Sequence, residues 1–466
     1  MKLIYGVKDK PKFGQVIVFA IQQLLAIMAA TITVPIMVGY GMSIPAALLG
    51  AGVGTIVYLL FTKFRSPVFL GSSFAFIGPM IAAFAGAVGN VMLGYLGLII
   101  GALLAGLVYV IIALVVKFAG VKWISKIMPA SVIGPTVALI GLSLAGAAIN
   151  DVFLYSAKET YGVSSYFIMN PALWASLACA MVTLAVVILC SVYGKKMSKL
   201  IPFIIGILAG YATALIFTII GITTGNDALR VIDFKHFTDL VANGVTINTF
   251  ISVPEFTFVN AFKGLGDFKA SYLATVAVAY VPVAFVVFAE HLADHKNLSS
   301  IIEQDLLENP GLHNTLLGDG VGSMVGAFFG GCPNTTYGES VGCVAITKNA
   351  SVITIVTTAV MAVLVSFISP FVAFLESIPG CVMGGVCITL YGFIAVSGLK
   401  MIQKVDLEDN ANLFTVSVIL ITGIGGMAIA VGGTDKVYIT GTACSLILGI
   451  LVNLMVNKAR KNKDEE

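Results

Sequence analysis

The chain has 466 residues, of which 58% are hydrophobic and only 11% charged, with a formal net charge of +3. A soluble domain carries about 25% charged residues. A soluble enzyme is therefore set aside, no nucleic-acid partner is expected, and the composition is that of a polytopic membrane protein.

In chain order, residues 1–14 carry Lys2, Lys8, Lys10 and Lys12 with no apolar run behind a short basic stretch. No cleavable signal peptide is expected. A membrane span needs about 20 mostly apolar residues. By that measure the first half offers candidates near 15–39, 43–62, 68–87, 91–116, 124–149, 171–193 and 199–222. A polar stretch, 223–270, follows without a clear period and reads as an outer connector with short helices. The second half offers 271–294, 314–331, 333–349, 351–374, 378–399, 410–432 and 436–456. With the N-terminus inside, only Lys158, Arg230, Lys235, Lys263, Lys269 and Lys436 of the 26 Lys and Arg residues fall in outer loops. That skew predicts cytoplasmic N- and C-termini in the cytoplasmic membrane. The seven cysteines lie in apolar runs without a CxxC pair, so neither disulfides nor a metal site is expected.

The expected fold is all-α and polytopic, with about fourteen spans. Seven spans, a connector and seven spans force the two halves into opposite orientation, a 7+7 inverted repeat. Two spans are not plain helices. The tenth opens with Pro333-Asn334-Thr335-Thr336-Tyr337-Gly338-Glu339. Pro333 lacks an N–H and pushes Cys332 out of helical geometry. The threonines and tyrosine favour extended backbone. The third opens with Gly71-Ser72-Ser73-Phe74. Two short antiparallel strands in these broken spans are expected, each followed by a half-helix; Gly/Ser-rich helix-packing faces are the alternative.

Charges inside spans are few. Glu290 lies in the second half of the eighth span, with Asp294 four residues on and on the same face. His291 and His295 form a second such pair, rotated by about 100°. An intramembrane carboxylate points to function by default. His291 reads as a satisfied core histidine, and Asp294 and His295 lie close to the inner end, where a solvated helix end competes with a proton-coupling role. Glu339 sits in the first turn of a half-helix, where the helix dipole favours negative charge. Two carboxylates suit a ligand with N–H donors, half-helix N–H groups suit its carbonyl oxygens, and Phe74 and Tyr337 can stack a flat ring. A small planar heterocycle fits. Glu290 is the expected coupling group, exchanging its proton as the cavity opens to either side, and Glu339 the substrate acceptor.

Together, Pro333-Asn334-Thr335-Thr336-Tyr337-Gly338-Glu339, Ala289-Glu290-His291, Gly71-Ser72-Ser73-Phe74-Ala75-Phe76 and the Asp305 to His313 stretch resemble the nucleobase–ascorbate transporter family. The resemblance covers nearly the whole chain. It implies a core domain (14–118 and 271–374, spans 1–4 and 8–11) that carries substrate, and a gate domain (119–222 and 377–456, spans 5–7 and 12–14). The gate would form the other wall and the homodimer contact, with 223–270 extracellular. It implies proton-coupled uptake with no cofactor beyond the proton. Substrate contacts would be Phe74, Glu290, Gly338 and Glu339, with Ser73 and Tyr337 close by. Purine carriers of the family usually have Gln at the Glu339 position, so the carboxylate favours a pyrimidine, uracil first. Where some members carry a histidine one turn after the span-eight glutamate, this chain has Asp294 and then His295, which opens the question of which group relays the proton. A carrier of xanthine or thymine, and a channel, are the competing expectations; an enzyme is not expected.

Overall fold

The computed structural model describes residues 3–464 apart from 121, 154–157, 162–163, 196, 243 and 432–436. Lys2, Lys196 and Lys436, three of the charges used for orientation, lie outside the described residues. Helices α1 (Phe13–Val38) and α2 (Ile44–Phe61) lead to strand β1 (Leu70–Ser72), a single 3-10 turn at Phe74–Phe76, α3 (Ile77–Gly86) and α4 (Val91–Ala119). Next come α5 (Lys122–Ile127), α6 (Ala130–Ser143), α7 (Ala145–Val152), the hairpin β2 (Lys158–Tyr161) and β3 (Ser164–Phe167), α8 (Pro171–Tyr193), α9 (Met197–Leu200) and α10 (Pro202–Thr224). The connector holds α11 (Lys235–Asp239) and α12 (Thr257–Lys263). The second half runs α13 (Ala270–Ile302), α14 (Leu312–Gly330), β4 (Asn334–Thr336), α15 (Gly338–Thr347), α16 (Val352–Val365), α17 (Ser369–Glu376) and α18 (Gly380–Ile402). It closes with α19 (Asn410–Ile424), β5 (Ile429–Val431), β6 (Val437–Ile439) and α20 (Gly441–Asp464).

Local chemistry sets many of these boundaries. The Ser43 hydroxyl and the Asn90 and Asn170 side-chain oxygens each accept a first-turn N–H, from Ala46, Leu93 and Leu173. Such N-caps satisfy donors that a helix leaves open. Gly120 and Gly225, both at positive φ, stop α4 and α10. Among the described residues, eight helical stretches are long and apolar enough to cross a bilayer, including α1, α2, α4, α8, α10, α13 and α18. Their outward faces expose Leu107, Ile111, Val192 and Ile216. Apolar residues exposed in such numbers belong against lipid, and the protein is a multi-pass membrane protein.

The fifth expected span, 124–149, breaks at Pro129, and the stretch Ala130–Val152 that follows, with α6 and α7 meeting at the single turn residue Leu144, is the eighth of those crossing stretches. The thirteenth, 410–432, ends early: Gly426 turns at φ +68, and β5 pairs with β6 where apolar residues had suggested continuous helix. The eighth runs eight residues beyond its expected end at 294, to Ile302. The two strands expected in the broken spans are present. β1 and β4 pair antiparallel, Leu70 with Thr336, Gly71 with Thr335 and Ser72 with Asn334.

Helices α1, α2, α4, α13, α14 and α16 pack on one another, and so do α6, α8, α10, α18, α19 and α20. The two sets meet where α13 touches α6 and α20 and where α1 touches α10 and α18. The tightest joint in the first set is α2 on α14, a small-residue interface of the kind that lets backbones approach in lipid. A Cβ at Gly50 would lie 2.5 Å from the Gly326 carbonyl oxygen. On the facing side, a Cβ at Gly326 would lie 2.1 Å from the Asn334 amide nitrogen. Gly326→Ala is therefore expected to displace Asn334 from the start of β4. Overpacking of this kind costs about 1–3 kcal/mol. A thermal melt should show a Tm lowered by several degrees, and an unchanged Tm would mean that the joint gives way freely.

Candidate functional site

The site is assembled where the β1–β4 ribbon crosses α13. Neither α3 nor α15 could begin where it does without the ribbon, because each half-helix takes over from a strand whose own polar groups are paired. Ser73 N–H donates to the Pro333 oxygen (3.0 Å), and Tyr337 N–H to the Phe69 oxygen (3.3 Å), extending the pairing past both strand ends. Helix α15 then starts at Gly338 with no side chain capping its N-terminus. The Glu339 carboxyl reaches its own backbone N–H, and first-turn N–H groups of this kind are donors that a ligand can meet.

Tyr337 is 3% exposed. Its hydroxyl donates to the Ser72 backbone oxygen at 2.8 Å, and the hydroxyl end of its ring closes on Gly71. A Cβ on Gly71 would come within 2.2 Å of that ring, so only glycine fits there. Tyr337 is thus part of the ribbon's own fastening. Ser340 is buried and joins three elements: its Oγ accepts from Gln23 of α1 (2.6 Å) and from the Phe69 N–H (3.1 Å). This fixes the first turn of α15, and Glu339 with it.

On α13, Glu290 and Asp294 are half-buried, as is Glu339 across from them. The three carboxyl groups lie within electrostatic reach of one another. Asp294 is tied to the ribbon, accepting from the Thr336 hydroxyl at 3.1 Å. It also sits over Gly338, where a Cβ would stand 3.7 Å from Asp294 Oδ1. Phe74 is buried on the opposite side and meets Tyr391 of α18 edge to face, ring centres 5.5 Å apart. Ser73 is buried with its hydroxyl unpartnered. The structure thus brings Glu290, Asp294, Gly338 and Glu339 together at one half-helix end, with Phe74 and Ser73 on the 70–76 strand and turn.

His295 lies elsewhere. It is fully buried, its Nε2 2.8 Å from the Tyr58 hydroxyl and its Nδ1 2.9 Å from the His291 backbone oxygen. A solvated helix end is thus not what the structure has there, since α13 continues past it. His291, also fully buried, lies between Asp319 (Nδ1 to Oδ2, 2.6 Å) and Thr315 (Nε2 to Oγ1, 3.0 Å) of α14. Gln23, Asp319 and Tyr391 were not singled out from sequence, and Thr336 was read only for its extended backbone. Asp319 could have been found, being a charge inside a span; the other three carry no such mark.

The arrangement can hold a flat polar ligand. It offers carboxylate acceptors from α13 and α15, first-turn backbone N–H groups from α15, and an aromatic edge from each helix set.

Comparison with known proteins bears on what that ligand is. Residues 14–432 match the sequence profile of the Permease family. The uracil permease of Bacillus caldolyticus is 39% identical over 98% of this chain and 95% of its own. That of Bacillus subtilis is 39% identical over 99% and 97%. That of Escherichia coli K12 is 32% identical over 99% and 96%. Among solved structures, the transmembrane domain of the cyanobacterial bicarbonate transporter BicA superposes with a TM-score of 0.63, covering 96% of this chain and 99% of that one at 16% identity. Murine Slc26a9 in its inward-facing state gives 0.61 over 97% and 69% at 11% identity. At those identities the two structures speak for the fold alone. A profile match over most of the chain and relatives aligned end to end leave one assignment: the chain belongs to the nucleobase–ascorbate transporter family of permeases.

Proposed function

We propose that the protein imports uracil across the cytoplasmic membrane by proton symport. The observation that carries the reading is the convergence of Glu290, Asp294 and Glu339 on the uncapped N-terminus of α15. Uracil presents two N–H donors and two carbonyl oxygens on a flat ring. Carboxylates accept from the N–H groups, and the first-turn N–H groups of α15 meet a carbonyl. Phe74 covers a ring face. The uracil permeases that align with the chain over almost its full length support the same substrate.

In this reading the fourteen expected spans form two inverted halves. The first helix set, with the ribbon, is the core domain (14–118 and 271–374); the second is the gate domain (119–222 and 377–456). Tyr391 of α18 is the gate's contact with Phe74, so sliding of the core would part these rings and open the site to one side. Both termini are cytoplasmic, and two copies join through the gate. Glu290 takes the transported proton, with Asp294 coupled to it through their shared face.

Uptake of labelled uracil into vesicles under an inward proton gradient tests the reading. Saturable accumulation competed by uracil and not by xanthine is the expected result. Competition by xanthine at equal strength overturns the pyrimidine assignment, and flux that does not saturate points to a channel. Glu339→Gln removes the charged acceptor but keeps the shape. Losing a hydrogen bond to a charged group costs about 1.5–3 kcal/mol, or roughly 10- to 150-fold in affinity. Calorimetry should show uracil binding weakened by that order, with purine binding gaining; unchanged affinity removes Glu339 from the site.

A further inference from the structure

The buried pair His291–Asp319 leaves a mark on the cavity beside it. Thr315 Oγ1 donates to the Leu312 carbonyl at 3.0 Å. It therefore accepts from His291, and the Nε2 of that ring carries hydrogen. His291 Nδ1 then faces Asp319 Oδ2 at 2.6 Å with one proton between them. The pair is either imidazolium with carboxylate or neutral ring with carboxylic acid, and in both forms it has no net charge.

The other oxygen, Asp319 Oδ1, is buried without a partner. So are the hydroxyl of Tyr109, on α4, and Oδ1 of Asn334, the first residue of β4. The three residues are between 0% and 4% exposed. All three line one cavity, with Ser323 and Thr335, and it has about 10 Å³ of room for a water centre. That is close to the least volume that holds one water. The inventory closes on one molecule. Tyr109 is a donor, and Asp319 Oδ1 is an acceptor in either form of the pair. Asn334 offers an acceptor because its amide nitrogen already donates to the Gly50 oxygen at 2.9 Å. A water accepts from Tyr109 and donates one hydrogen to each of the others. A sodium ion of similar size would add a positive charge to a pair that has none to offset it, deep in a dry core.

We propose that this cavity is a water-binding site, in which one water joins Tyr109, Asp319 and Asn334, and that the site holds β4 in register for ligand binding. Asp319 is then a positioning residue, acting through the water on the strand that leads to Tyr337, Gly338 and Glu339. The water site stands without the transport assignment; its effect on ligand affinity rests on the uracil reading.

Two measurements test it on the full-length protein in detergent or nanodiscs. A structure resolving ordered waters should show one density peak about 2.5–3.0 Å from all three oxygens. A peak at shorter, metal-like distances, or a dry cavity with the three groups turned to protein partners, overturns the site. Calorimetry with uracil tests the positioning. Asp319→Asn can donate to His291 Nδ1 and still accept from the water, so its Kd should stay within about threefold of wild type. Asp319→Leu and Tyr109→Phe leave polar groups orphaned, which costs about 1–3 kcal/mol or roughly 5- to 150-fold. If Asp319→Asn loses affinity as severely as Asp319→Leu, or if Tyr109→Phe binds as wild type does, the positioning role is wrong. A wild-type protein that binds no uracil sinks the substrate reading instead, while the density measurement still decides the water.

Discussion

Glu290→Gln is expected to abolish concentrative uptake while leaving a folded protein that still equilibrates uracil across the bilayer. Asp294 is held by the Thr336 hydroxyl and Asp319 by His291, and Glu290 is bound by neither arrangement. It is also half-buried rather than sealed, so its proton can reach the medium when the site opens. One charge moved across 100 mV is worth about 2.3 kcal/mol. Symport of one proton could therefore hold a gradient of roughly 50-fold at that potential. The glutamine variant cannot change charge, and its accumulation ratio should fall to about 1 in vesicles under the same gradient. Its fold should survive, because Gln has the same shape and removes one member of a repelling carboxylate group. Gradient-driven accumulation close to wild type would transfer the coupling role to Asp294 or elsewhere.

Much of this site is legible from single residues. Pro333 and the β-branched pair Thr335–Thr336 dictate an extended break, and the break is there, paired antiparallel with Leu70–Ser72. Hydrophobic length located most of the helices because in lipid the backbone must satisfy itself, which leaves little choice of element. Length failed where turn chemistry intervened. Gly425-Gly426 ends α19, and the β-branched Val437 and Ile439 then form a strand that an apolar window cannot tell from helix. Pro129 likewise divides the fifth span. Asp319 was visible by the rule that found Glu290, since it is a charge inside the ninth expected span, 314–331. Tyr391 was not visible at all. One tyrosine in a long apolar helix gains its meaning only from Phe74, more than 300 positions earlier, and no local pattern encodes that meeting. His295 shows the opposite case: its place near the expected inner end of the span left a solvated helix end open, whereas the helix runs on and Tyr58 on α2 meets the fully buried ring.

Gly71→Ala should be the most damaging single methyl in the protein for ligand binding. The added carbon would sit 2.2 Å from two atoms of the Tyr337 ring and 2.7 Å from its oxygen, far inside contact distance. The ring has little freedom to yield. Its hydroxyl is fixed to the Ser72 oxygen, its backbone N–H to Phe69, and the side chain is 3% exposed. Relief must come from separating β1 from β4 or from rotating Tyr337, and either moves Gly338 and Glu339, which follow it directly. We expect uracil affinity to drop more than tenfold, about 1.4 kcal/mol or more. A Tm loss of a few degrees should accompany it. Truncating the ring separates cause from coincidence. In a Tyr337→Ala background the same alanine at position 71 meets no ring, and its added cost should nearly vanish. The two substitutions should therefore be strongly non-additive, with a coupling of about 1–3 kcal/mol between residues in contact. Additive losses would mean that alanine at position 71 harms the ribbon through its backbone instead. The tyrosine would then be a bystander to the close approach, and the fixed placement of Glu339 would need another source.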